Sequence, residues 1–257
     1  MDSHIYITTL CLTLFTWGLT ALGSSVVFVF KKVNQTVINF MLSFSAGVMI
    51  ASGIFSLLLP SIEYSSALFN DGVVIPTLLF LAGGLFVVLA DICLNKVLDH
   101  KNITDTKFSR KNILLFSAIT FHNIPEGMCI GVAVANAGLG GSTLTSAILL
   151  AIGIGLQNFP EGASISLPMR SYGSSRKKAF FYGQLSGIVE PVFALVACAF
   201  SIAFNNALPF LLAFSSGAMM CVSCTELIAE AAKENKNLAS VGVLIGFCFM
   251  MVLDLLF

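Results

Sequence analysis

Two short runs carry most of the chemistry in this chain. Phe121-His122-Asn123-Ile124-Pro125-Glu126-Gly127 and Leu156-Gln157-Asn158-Phe159-Pro160-Glu161-Gly162 place a nitrogen or amide side chain, a second amide and a carboxylate at the same spacing, each with a proline before the glutamate. On a helix His122 and Glu126 are i, i+4 and Asn123 and Glu126 are i, i+3, so the three side chains share one face; Gln157, Asn158 and Glu161 do the same. Pro125 and Pro160 each remove a backbone N–H and press on the carbonyl four residues back, which is tolerated at membrane depth mainly beside a polar cavity. A third run, Ser186-Gly187-Ile188-Val189-Glu190-Pro191, again sets a carboxylate beside a proline.

One imidazole, two or three carboxylates and several amide oxygens form a donor set of intermediate softness. It suits Zn²⁺, Fe²⁺, Mn²⁺ or Co²⁺ better than Ca²⁺, for which imidazole is a poor ligand, or Cu⁺, which favours sulfur. Glu126 and Glu161 could bridge two ions. The plain alternative for each motif is a hydrogen-bonded packing residue at a helix kink. Met49 offers either a soft auxiliary thioether or ordinary core filling. Ser52 and Ser56, one and two turns further on, could line a polar path or bond back to their own helix. Glu226 and Glu230 are an i, i+4 pair that could serve an exit path or merely close a helix end, and Asp91 is a further path candidate. Asp254, close to the C-terminus, is expected at the membrane interface.

The stretches that must position these groups are apolar. Hydrophobic residues make up 57% of the 257 and charged residues only 10%, against roughly 25% charged in soluble domains, and the mean hydropathy is +0.94. A soluble globular domain is excluded on this balance. Nucleic-acid binding goes with it, because 13 Lys+Arg balance 13 Asp+Glu and leave no basic excess for phosphate. Seven scattered cysteines do not form a disulfide framework, and the CxxC of Cys221 and Cys224 lacks the second pair of a zinc ribbon.

A hydrocarbon core needs about 20 apolar residues per helix, and cutting the chain at its polar clusters gives eight such stretches, at about 5–30, 37–59, 73–95, 112–136, 143–168, 179–204, 207–232 and 238–257. The expected fold is an all-α polytopic membrane protein, one transmembrane domain over 1–257 in the cell (plasma or inner) membrane. The first stretch has no basic flank or cleavage site and is expected to remain as a helix. Alternating the stretches across a bilayer puts all 13 Lys and Arg on one side, which the positive-inside rule makes the cytoplasm, with both termini outside. The longest loop, about 96–111, is then cytoplasmic, polar and a solvated linker.

Internal repetition supports the same plan. A shift of 170 lays Phe44-Ser45-Ala46-Gly47-Val48-Met49 on Phe214-Ser215-Ser216-Gly217-Ala218-Met219, and a shift of 163 lays Leu81-Ala82-Gly83, Phe86 and Asp91 on Leu244-Ile245-Gly246, Phe249 and Asp254. Stretches 1–3 then recur as 6–8 around a central pair, a 3+2+3 inverted repeat of the kind that gives transporters alternating access to a midplane site. The carboxylates inside the stretches have no Lys or Arg at their depth, and each costs roughly 2.5 kcal/mol or more at the bilayer centre. A cation is the economical way to neutralise them.

With these motifs in place the sequence resembles the ZIP (Zrt/Irt-like) metal transporter family, in particular its bacterial GufA-like branch, over essentially the whole chain. The resemblance implies uptake of divalent transition metal, chiefly Zn²⁺ and in some members Fe²⁺, Mn²⁺ or Cd²⁺, through a midplane binuclear centre. It implies ligands at His122, Asn123 and Glu126, at Asn158 and Glu161, and at Glu190, with Met49 where the second helix would contribute. Gln157 departs from the histidine of many relatives, and an amide oxygen is the weaker zinc ligand, so one ion or two remains open. The divalent ion is substrate, no organic cofactor is expected, and the lipid bilayer and a homodimer complete the expected partners. Two other functions fit buried carboxylates: an intramembrane metallohydrolase, although the chain has no HExxH, and a proton-coupled carrier of an organic solute.

Overall fold

In lipid every backbone N–H and C=O must be satisfied within its own segment, and each apolar stretch accordingly folds as a helix. A computed structural model describes residues 2–29, 34–69, 72–100, 107–140, 143–201 and 208–256. These residues form eight helices long and apolar enough to cross a membrane, and no strand occurs among them. They are α1 (Asp2–Val29), α2 (Gln35–Phe69), α3 (Val74–His100), α4 (Lys107–Gly138), α5 (Leu144–Ser171), α6 (Arg176–Ser201), α7 (Leu208–Ala232) and α8 (Lys236–Leu256). The chain is an integral, multi-pass membrane protein.

Two helices run well beyond the stretches expected from hydropathy. α2 continues through Pro60 to Phe69 because a π turn at Gly53–Leu58 shifts the hydrogen-bond ladder just ahead of the proline. The Ser61 hydroxyl then ties this extension to the Pro209 carbonyl at 2.6 Å. α3 continues to His100 and α4 begins at Lys107, so the interval expected as a loop at 96–111 is helical on both sides of 101–106. The Asn95 side chain donates back to Asp91 Oδ1 within the helix, and neither Gly nor Pro interrupts Lys96–His100. The remainder of that loop, 101–106, lies outside the described residues, as do Lys31, Lys32, Asp71 and the expected helix ends at 30, 204, 207 and 257.

The helices pack in two groups. α1 lies against α5 and α6, and α4 against α6 and α5; α2 lies against α8, and α3 against α7. The groups meet where α2 crosses α5 and α7 crosses α4. α5 is the central helix, with 67% of its apolar stretch buried against 11% for α3, which presents Leu78, Leu81, Leu85 and Leu89 outward. α1 is held in register by Trp17 Nε1, which donates to Gln184 O at 2.9 Å, and by the Ser24 hydroxyl on Gly162 O at 3.2 Å.

The repeated segments make matched contacts. A Cβ on Gly83 of α3 would fall 1.9 Å from Phe214 O of α7, and one on Gly246 of α8 would fall 2.1 Å from Phe44 O of α2. Only glycine allows these approaches, the usual device for close helix packing in lipid. The Phe86 and Phe214 rings sit 5.6 Å apart and the Phe44 and Phe249 rings 5.8 Å apart. π turns fall at Gly53–Leu58 in α2 and at Ser223–Ile228 in α7, 170 residues on. A Gly83→Ala protein is expected to lose about 1–3 kcal/mol of stability, the usual cost of overpacking. Gly18→Ala, where a Cβ meets nothing within 4 Å, serves as control; equal melting temperatures in detergent would contradict the packing.

Candidate metal centre

The paired motifs lie inside α4 and α5, both of which continue through their prolines, and Glu190 follows a 3₁₀ turn at Ser186–Ile188 in α6. His122, Asn123, Glu126, Gln157, Asn158, Glu161 and Glu190 are all fully buried. Three amide–carboxylate pairs link them. Asn123 Nδ2 donates to Glu161 Oε1 at 2.8 Å, Gln157 Nε2 to Glu126 Oε1 at 2.6 Å and Asn158 Nδ2 to Glu190 Oε1 at 2.8 Å. Each pair but one joins α4 to α5; the last joins α5 to α6.

This pairing spends the amide hydrogens and leaves oxygens. Glu126 Oε2, Asn123 Oδ1, Gln157 Oε1 and Asn158 Oδ1 are buried without a hydrogen-bond partner. All four are acceptors, and buried acceptors without donors are costly unless something positive meets them. The ring of His122 points the same way. Its Nδ1 lies 3.3 Å from Ala118 O and its Nε2 lies 3.3 Å from Glu161 Oε2. With the proton on Nδ1, held by the carbonyl, Nε2 would be free to bind a cation beside Glu161. A backbone carbonyl behind the imidazole is the common outer support of a metal-binding histidine.

His122, Glu126 and Glu161 each offer an atom within 4.8 Å of the others. Tetrahedral zinc with bonds of about 2.0–2.2 Å holds its ligands roughly 3.5 Å apart, so small rotamer adjustments close the set. Among the described residues no Lys or Arg bonds to these carboxylates. The arrangement can bind a divalent cation through one imidazole, carboxylate and amide oxygens, with Asn158 and Glu190 at its α6 side.

The remaining sequence-derived residues are distributed along the bundle. Met49 is fully buried on α2, and its repeat counterpart, Met219, brings its sulfur 4.0 Å from Gln157 Nε2. Ser52 is buried with an unpartnered hydroxyl. Ser56 donates to Asp254 Oδ1 at 2.6 Å. With Glu63, Tyr64 and Ser146 these two line a cavity of about 310 Å³ at the end of the bundle that bears the chain termini. Asp254 thus faces the cavity at this end of the bundle beside its serine partner. At the opposite end Glu226 and Glu230 line a cavity of about 170 Å³ with Gln35, Tyr172 and Lys233, and Asp91 meets Glu226 in an adjoining one of about 160 Å³. The Glu230 carboxylate pairs with Lys233.

Sequence reasoning missed Thr16 and Met219. Thr16 Oγ1 donates to Glu190 Oε2 at 2.5 Å, and Asn158 Nδ2 also approaches the Thr16 carbonyl at 3.4 Å. The signal was present: Thr9, Thr13, Thr16, Thr20 and Ser24 recur at helical spacing through an otherwise apolar segment, and all are buried. Met219 was signalled by its alignment with Met49.

The comparisons fit this geometry. The family profile described as ZIP Zinc transporter matches residues 102–254. The zinc transporter ZIP11 of Xenopus tropicalis is 36% identical, covering 94% of this chain and 95% of its own length. The zinc transporter ZupT of Streptococcus mutans is 31% identical over the full length of both, and the zinc transporter GufA of Myxococcus xanthus is 32% identical over 78% of this chain and 80% of its own. Glu161→Ala is expected to weaken zinc binding by the purified protein more than about tenfold, beyond the loss typical of an outer-shell support. Equilibrium dialysis against micromolar zinc measures it, and unchanged zinc content would remove Glu161 from the site.

Proposed function

Since the chain belongs to the ZIP zinc transporter family, we propose that it carries a divalent transition metal, Zn²⁺ foremost, across the membrane into the cytoplasm through the cluster on α4, α5 and α6. The observation that carries this reading is the set of unpartnered acceptor oxygens around three buried carboxylates, with the Nε2 edge of the His122 ring facing one of them. His122, Glu126 and Glu161 form the first ion site, with Asn123 and Gln157 oxygens beside it. Glu190, Asn158 Oδ1 and the unpartnered Glu126 Oε2, with Glu161 beside them, serve a second ion. Met49 and Met219 supply thioethers from α2 and α7, which favours Zn²⁺ and Cd²⁺ over the harder Mn²⁺ and Fe²⁺.

The route runs through the two ends already described. Glu63, Asp254, Ser56 and Ser52 lead in from the end bearing the termini, and Glu226, Glu230 and Asp91 lead out at the other. The matched glycine contacts and π turns of α2–α3 and α7–α8 support a 3+2+3 inverted repeat, the asymmetry of Lys and Arg supports outward termini, and uptake is the direction that the family resemblance implies. A hydrolase or an organic-solute carrier gains nothing from the comparisons.

Glu126→Ala is expected to abolish zinc accumulation in cells expressing the protein while leaving its amount in the membrane unchanged. Normal accumulation would sink the assignment. Uptake into proteoliposomes, compared across Zn²⁺, Cd²⁺, Mn²⁺ and Fe²⁺, is expected to show strong preference for the first two.

A further inference from the structure

Glu190 differs from the other two carboxylates in how fully protein donors occupy it. Asn158 Nδ2 takes one oxygen and Thr16 Oγ1 the other, whereas Glu126 keeps one oxygen unpartnered and Glu161 turns one to the His122 ring. Thr16 comes from α1, outside both paired motifs, and is fully buried. Its neighbours Thr13 and Thr20 spend their hydroxyls on carbonyls of their own helix, the usual fate of threonine in an apolar helix. Thr16 has that option as well, because Thr13 O lies 3.0 Å from its hydroxyl. One hydroxyl hydrogen faces two acceptors, and it changes partner by rotating about the C–O bond while the oxygen stays in place.

The geometry points to Thr16 as a positioning residue for Glu190, a latch that offers the carboxylate an alternative to the transported ion. The hydroxyl holds Oε2 while Glu190 is free of metal and turns to the Thr13 carbonyl when Glu190 takes the ion. It then returns to compete the ion off. The exchange is cheap in both directions, because the hydroxyl never lacks an acceptor and Oε2 never lacks a positive partner. A ligand with a standing competitor binds its ion less tightly and releases it faster, so the latch trades affinity for turnover. This inference rests on the transport reading given above.

Initial rates of zinc uptake into proteoliposomes test it. Thr16→Val keeps the shape and removes the hydroxyl. Its apparent KM and its kcat are both expected to fall about tenfold, the order set by one hydrogen bond to a charged group. Thr16→Ser, which restores the hydroxyl, recovers most of both values, and in a Glu190→Gln background Thr16→Val has no further effect. The dissociation constant of zinc for the purified Thr16→Val protein is expected to tighten, which a misfolded protein cannot mimic. A lowered kcat without a lowered KM assigns Thr16 to packing alone and overturns the latch, as does wild-type behaviour of Thr16→Val. Absence of uptake by the wild-type protein instead overturns the transport reading, and the latch with it.

Discussion

The structure turns on one electrostatic constraint: three carboxylates sit in the middle of a lipid-embedded bundle where, among the described residues, no Lys or Arg bonds to them. In that setting a carboxylate without partners is far too costly to keep. The chain meets the constraint halfway. Each glutamate is given an amide N–H from a neighbouring helix, Asn123 for Glu161, Gln157 for Glu126 and Asn158 for Glu190. Amides are well suited to the task because they stabilise a negative oxygen without cancelling its charge. Their own oxygens are then left over, and they face inward as acceptors. A Lys or Arg would have satisfied the same carboxylates completely and left nothing for a metal ion to do.

The rest of the bundle keeps that half-satisfied centre in place while allowing it to be reached. α4, α5 and α6 carry the buried carboxylate and amide cluster, and α1 braces them through Trp17, Ser24 and Thr16. α2, α3, α7 and α8 supply the flanking wall, joined by glycine contacts too close for any side chain. The wall meets the ligand helices along α2 with α5 and α7 with α4. Those two seams end in the cavities at either end of the bundle. π turns occur in two of the wall helices, α2 and α7, near these ends. In α2 the turn's Gly53 carbonyl is held by the Ser216 hydroxyl of α7 at 2.7 Å, so the helix irregularity is tied across the seam and not left open to lipid.

Much of this was legible in particular residues. The i, i+3 and i, i+4 spacing placed His122, Asn123 and Glu126 on one face, and the twin motif placed Gln157, Asn158 and Glu161, because helical periodicity within one segment is a local property. The repeat blocks at Phe44–Met49 and Phe214–Met219 anticipated the matched packing of α2 and α7. Helix lengths were read less well. Hydropathy marks where lipid ends, whereas α2 runs on past Pro60 and α3 past Lys96 because backbone hydrogen bonding does not stop at the membrane surface. The partner of Asp254 was not legible either: nothing in the sequence pairs it with Ser56, a serine on another helix.

The sequence by itself determined the solvent, the number of crossings and the chemical types of the side chains in the buried cluster, because composition, run length and residue type are properties of the chain alone. Only the tertiary structure decided which atoms do what. That the amides donate nitrogen to glutamate and keep oxygen free, that His122 turns its Nε2 edge to Glu161, that Met219 approaches the cluster, and that Thr16 takes the last oxygen of Glu190 all depend on the relative height and rotation of separate helices. Those are fixed by contacts between segments up to 174 residues apart, made through glycines and aromatic rings that carry no chemical signature of the site they position.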